Sequence, residues 1–244
     1  MVNFASIDLN SRDCLQKQDL KVEAVPFAVT GGLQPFLVTV MTNVLMLVDF
    51  HAHVVPNEVA GFLGGTWDPR TQHMTITSAY PLMYASCTAK IKSSTTAADT
   101  AEQAKLRAEA VGRIKATMRE RNTVLVGWYH SHVRSSPHPT ILDVKRQLRY
   151  QKEFLVSPNS SPQKGGKGGS GGLPASDYSP VVGLIVSPYY PRTARLVSLM
   201  QMFWVAPIYV SAVKDFGRPM QFHYTVTRDA FLTQDLLVEM VNFS

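Results

Sequence analysis

The 244-residue chain is 45% hydrophobic and 17% charged, which suits a folded domain with a substantial core. No uninterrupted apolar stretch reaches 18 residues, against a membrane-spanning helix, and Cys14 and Cys87 are too few for a disulfide framework or a cysteine metal cluster. The formal net charge of +6 is concentrated, since residues 101–155 hold eleven Lys or Arg against five Asp or Glu.

In chain order, residues 1–34 read as an irregular extension that lacks the apolar core of a secretory signal; with so little cysteine, a reducing compartment is expected, nucleus or cytoplasm. Residues 36–41 read as a strand and 42–52 as a helix. The pair His51 and His53 follows that helical pattern. Side chains two apart on a helix diverge by about 200°, so no shared metal is assigned to them. Glu58, the only acidic residue between Asp49 and Asp68, opens an apolar run that ends in Gly64-Gly65. A partly desolvated carboxylate at a strand's start is a candidate general base. Segments 58–65 and 73–80 read as paired strands, joined by turn chemistry at Trp67-Asp68-Pro69-Arg70.

Residues 83–100 are small and polar and read as a loop; 101–121 reads as a helix carrying Lys105, Arg107, Arg113, Lys115, Arg119 and Arg121. A solvated basic face is the simplest account of that charge. Attraction to nucleic acid or to an acidic surface such as chromatin is the functional account, and no nucleic-acid reading motif accompanies it.

The run 123–129 is β-branched and aromatic and reads as a buried strand leading into His130-Ser131-His132. Residues two apart on a strand share a face, so His130 and His132 can share one ion. A Pro-rich loop, 133–139, containing a solvated His138, leads to a helical segment, 141–154. That helix carries Asp143, eleven residues beyond His132, in its first turn. Two imidazoles and one carboxylate leave a tetrahedral zinc with one open position, which implies chemistry rather than scaffolding. Thr140-x-x-Asp143 is also a helix N-cap with a capping-box-like partner. Segment 157–176 is Gly/Ser/Pro/Lys-rich and reads as flexible; it lacks the spacing of a phosphate loop. Strands at 181–186 and 195–205 and a helix at 228–241 complete an α/β pattern of mixed sheet and flanking helices, without internal repeats.

Glu58-Val59-Ala60-Gly61-Phe62-Leu63-Gly64-Gly65, followed by His130-Ser131-His132 and Asp143, resembles the JAMM (MPN-plus) metalloprotease motif. The resemblance covers roughly residues 36–206 and is carried also by Thr39 to Trp67 and Ser187-Pro188-Tyr189-Tyr190. It implies the MPN (JAMM) fold, a mixed sheet flanked by helices, as one domain over 35–206. That domain would hold a flexible insertion at 157–177, with extensions at 1–34 and 207–244, the latter ending in a helix. It further implies one catalytic Zn2+ on His130, His132 and Asp143, Glu58 as general acid/base, and Thr140 steadying the oxyanion where the family usually has serine. Val133 stands where the family usually has proline, and Lys145 where near relatives often have an acid.

The implied activity is hydrolysis of the isopeptide bond between ubiquitin and a lysine. The implied partners are ubiquitin or a ubiquitinated protein, and an MPN-domain protein. Two alternatives from other classes are a noncatalytic MPN scaffold in a larger complex and a chromatin-associated binding protein.

Overall fold

The computed structural model describes residues 20–82, 97–155, 179–190, 198–206, 217–229 and 234–241. In chain order its elements are strand β1 (Val25–Pro26), a 3-10 turn (Phe27–Thr30), β2 (Leu37–Met41), helix α1 (Thr42–Val54), β3 (Ala60–Asp68), β4 (His73–Pro81), α2 (Ala97–Glu120) and β5 (Val124–Ser131). These are followed by α3 (Ile141–Leu155), β6 (Val182–Ser187), β7 (Leu199–Ala206), β8 (Arg218–Gln221), β9 (Thr225–Thr227) and α4 (Gln234–Val241).

The strands form one mixed sheet in the order β1-β8-β7-β6-β5-β3-β4-β2-β9. Its centre is the antiparallel set β5-β3-β4, with Ala60 opposite His130 and Phe62 opposite Tyr80. From β5 the chain crosses through α3 to β6, which lies parallel to it with Gly127 opposite Val182 and His130 opposite Ile185. That crossing brings the two backbones so close that a Cβ on Gly127 would sit 2.7 Å from the Val182 carbonyl oxygen. Glycine is therefore required there by space.

The sheet carries a core on each face. One is built from Val44, Leu47 and Val48 of α1, Leu236 of α4, and strand residues including Val40, Ile76, Tyr129 and Leu184. The other joins Ala110, Val111 and Met118 of α2 and Val144 and Tyr150 of α3 to Phe62, Trp128, Ile185 and Phe203. The architecture is thus an α/β mixed sheet flanked by helices, the class expected from the sequence. Among the described residues no helix is long and apolar enough to cross a membrane.

Several boundaries differ from the sequence reading. The turn after β3 occupies 69–72, later than Trp67-Asp68-Pro69-Arg70. Asp68 organises it, accepting the Arg70 N–H at 2.9 Å and the Thr71 hydroxyl at 2.8 Å, while Gln72 adopts φ 52°. Part of the region read as irregular, 1–34, forms β1 and the 3-10 turn, because Val25 finds a parallel partner in Met220. Helix α2 begins at Ala97, inside the segment read as a loop. Arg228 and Asp229 lie outside the final helix, which is described over Gln234–Val241, and the residues just before them, Thr225–Thr227, pair as β9 alongside β2. Residues 1–19, 83–96 and the Gly/Ser-rich segment 157–176 lie outside the described residues, as does 191–197 ahead of β7.

Candidate metal centre

The parallel pair β5 and β6 sets the position of the site. Ligands gather at the carboxyl ends of parallel strands because the loops there leave the sheet around a helix N-terminus. His130 is held at the end of β5 by pairing with Ala60 on one side and Ile185 on the other. One residue past the strand, His132 donates its N–H to the Val186 carbonyl at 2.8 Å. Alternation then puts both imidazoles on the face that α3 covers.

Asp143 lies in the first turn of α3, after Thr140 as N-cap. The Asp143 N–H reaches the Thr140 hydroxyl at 3.1 Å, while the Thr140 N–H and hydroxyl donate to Asp143 Oδ2 at 2.8 and 2.7 Å. This reciprocal cap fixes the carboxylate's orientation. The carboxylate then bridges both imidazoles, with His130 Nδ1 at 3.2 Å from Oδ1 and His132 Nε2 at 3.1 Å from Oδ2. One ligand atom from each of His130, His132 and Asp143 lies within 4.8 Å of the others.

Asp143 and His132 are each 1% exposed. Burial alone would push the Asp143 carboxyl up, but the charge of His130, hydrogen bonds from both histidines and the charge of Arg146 outweigh it. The pKa is held well below the usual carboxylate range. A buried, ionised carboxylate beside two imidazoles is a donor set that fits zinc. The Arg146 guanidinium touches it, with Nη1 3.1 Å from Asp143 Oδ1 and its carbon 5.0 Å from the centre of the Trp128 ring.

Glu58 precedes β3 by two residues, with Oε2 3.5 Å from His130 Nε2. Its side chain is 58% exposed, so the desolvation expected at a strand's start is not present. It lines a cleft of about 620 Å³ with His53, Val54, Pro56, Val133, Arg134, Ser135 and Tyr189. Thr140 lies beside the ligands, its hydroxyl proton directed at Asp143 rather than into open space.

Among the described residues, the metal-ligand grouping contains neither His51 nor His53. His51 is buried against the Tyr129 hydroxyl at 2.7 Å, and burial lowers its pKa to about 4. His53 belongs to the cleft wall, packed edge-on against Tyr189, whose hydroxyl donates to the His53 carbonyl at 3.0 Å. His138, read as solvated, is half-buried, with Nδ1 shielded from water and lacking a hydrogen-bond partner.

Four contributors escaped the sequence reading. Ser131 Oγ accepts the Val59 N–H at 2.7 Å and its own N–H reaches the Val59 carbonyl at 2.8 Å, tying the chain after Glu58 to the histidine strand. Its place between two histidines on the opposite face of the strand was the available signal. Arg146 was visible one turn beyond Asp143. Tyr189, known from the sequence only as part of the Ser187-Pro188-Tyr189-Tyr190 run, and Lys21, with Nζ 2.5 Å from His132 Nδ1, are brought in from remote segments, and Lys21 left no local signal.

Residues 37–154 match a family model described as JAB1/Mov34/MPN/PAD-1 ubiquitin protease. An MPN domain-containing protein of Mus musculus is 35% identical over 233 residues, covering 96% of this chain and 41% of that protein. The MPN domain-containing protein CG4751 of Drosophila melanogaster is 33% identical over 239 residues, 97% of this chain and 15% of that protein. Deubiquitinase MYSM1 of Homo sapiens is 28% identical over 156 residues, 64% of this chain and 15% of that protein. The chain spans less than half the length of each of these curated relatives.

Proposed function

Residues 37–154 of this chain belong to the JAB1/Mov34/MPN/PAD-1 family, and from that premise we propose that it is a zinc-dependent isopeptidase of the JAMM type, acting as a deubiquitinase. The observation that carries the proposal is the convergence of His130, His132 and Asp143, one ligand atom each within 4.8 Å, beside a cleft lined by Glu58. The similarity to a deubiquitinase supports the substrate class.

Bound to these three side chains, zinc would polarise the scissile carbonyl and acidify the attacking water. Glu58, exposed at the cleft and 3.5 Å from His130, takes the water proton and passes it to the leaving lysine amine. Asp143 is kept ionised by His130, His132 and Arg146, so it remains a ligand without needing to lose a proton. The Thr140 hydroxyl donates to Asp143 Oδ2 at 2.7 Å, so steadying a developing oxyanion requires it to give up that bond, with the Thr140 N–H still holding Oδ2 at 2.8 Å. In this reading an extended ubiquitin tail would lie in the cleft between the His53–Tyr189 pair and Val133-Arg134-Ser135. Nucleus and cytoplasm are the proposed compartments, with an MPN-domain protein and chromatin as proposed partners.

The test measures zinc content and cleavage of a di-ubiquitin panel for wild type, His132→Ala and Glu58→Gln. Stoichiometric zinc lost in His132→Ala but kept in Glu58→Gln, with cleavage abolished in both, is the expected result. One observation favours a noncatalytic MPN scaffold instead, namely that Arg146 already supplies the buried Asp143 with a cation. Wild-type protein that takes up no zinc on reconstitution would put that reading first.

A further inference from the structure

The metal ligands are approached from outside the β5–α3 unit by the segment ahead of β1. The Val22 N–H donates to the Pro139 carbonyl at 2.8 Å and the Ile141 N–H to the Leu20 carbonyl at 3.2 Å, so that Lys21 forms an antiparallel bridge with Thr140. This short strap lies across the start of α3. It directs the Lys21 ammonium onto His132 Nδ1, at 2.5 Å.

The chemistry of that contact is one-sided. An ammonium has three donors and no acceptor, so His132 Nδ1 must accept. The neutral ring then carries its proton on Nε2, where it faces Asp143 Oδ2 at 3.1 Å. A metal ligated through Nε2 requires the other tautomer, with a lone pair on Nε2 and the proton on Nδ1. An acceptor for that proton is present, the Ser136 carbonyl 3.3 Å from Nδ1. Lys21 and Ser136 are therefore rival partners for one nitrogen. Ser136 favours the ligating tautomer and Lys21 the non-ligating one. The ammonium also repels a dication on the same ring, in surroundings where His132 is 1% exposed and screening is weak.

Resting on the zinc reading above, we propose that Lys21 is a built-in antagonist of metal binding, through which the strap 20–22 sets the zinc affinity of the site by selecting the His132 tautomer. Moving one proton from Nε2 to Nδ1 through solvent, with Lys21 withdrawn from the ring, converts one state to the other without change in net charge. A purely structural role for Lys21 predicts the opposite sign, since loosening the strap would then weaken the ligand set.

The test is zinc affinity, read by competition with a chromophoric chelator at one pH, for wild type, Lys21→Met, Lys21→Ala, Lys21→Arg and His132→Ala. Loss of a charged hydrogen bond to the non-ligating tautomer should tighten zinc binding roughly tenfold to a hundredfold in Lys21→Met and Lys21→Ala. Lys21→Arg should stay near wild type. Nitrogen NMR of the metal-free proteins adds a second readout, with the His132 proton moving from Nε2 to Nδ1 in Lys21→Met. Equal or weaker zinc binding by the two neutral variants, with wild type binding zinc, overturns the antagonism and leaves the metal site standing. If no variant binds zinc better than His132→Ala, both the antagonism and the metal reading fail.

Discussion

At Thr140 the hydroxyl accepts the Asp143 N–H and donates to Asp143 Oδ2, so one side chain caps α3 and aims a metal ligand. Thr140→Ala should lower stability by about 1 kcal/mol, the usual cost of a lost N-cap. It should also weaken zinc binding, because Asp143 then keeps only the Thr140 backbone N–H from this cap. Thr140→Ser should preserve both properties, and thermal melts with a chelator titration separate the three proteins. The cap itself was legible in Thr140-x-x-Asp143, a local pattern. The direction of the hydroxyl proton was not, since it depends on where the two histidines pull the carboxylate. Glu58 illustrates the same limit. Its identity was readable from the run that follows it, while its exposure follows from the cleft opposite Val133 and Tyr189.

The β5–α3–β6 unit is held by a ladder of two buried glutamines. Trp128 Nε1 donates to Gln147 Oε1 at 2.7 Å, and Gln147 Nε2 reaches Gln151 Oε1 at 2.9 Å and the Val181 carbonyl at 2.7 Å. Gln151 Nε2 continues to the Val205 carbonyl at 2.9 Å. Replacing Gln147 with Leu strands the Trp128 N–H and a carbonyl in the core, at a cost of about 1–3 kcal/mol. Because Gln147 lies one turn beyond Asp143, the same variant should bind zinc more weakly; denaturant midpoints and metal titration test the two effects. Gly127→Ala meets the Val182 carbonyl oxygen and should cost at least the ~1–3 kcal/mol of an overpacked core, read as a lower melting temperature. The sequence showed a strand, a loop and a helix here with nearly correct limits, because period and composition are local. It did not show that the polar face of Gln147 and Gln151 turns inward, since their partners lie on β5, just ahead of β6 and on β7.

For the whole molecule, acid sensitivity should follow from His51, which α1 buries against Tyr129. Its pKa is about 4 in the fold against 6.5 unperturbed. Between those values the unfolded chain binds more protons, so stability is fully present above about pH 6.5 and declines as pH falls toward 4. The total loss is about 3 kcal/mol. His51→Gln should flatten that limb in urea unfolding measured across pH. The Asp143 contribution is lost at lower pH still, because its folded pKa lies below the ordinary carboxylate value.

The residues alone were enough to indicate the α/β class, the order of β3, β5 and α3 and the identity of the three candidate ligands. Alternation along a strand, a helix cap and a fixed spacing are properties of neighbouring residues. Folding was needed to bring Lys21 onto His132, to set Tyr189 against His53, and to recruit the short β1 and β9 into the sheet. Those contacts join segments separated by up to nearly two hundred positions, and each is made by a strand too short, or a side chain too isolated, to leave a periodic trace. Their energy comes from burial and hydrogen bonding available only once the central sheet has formed.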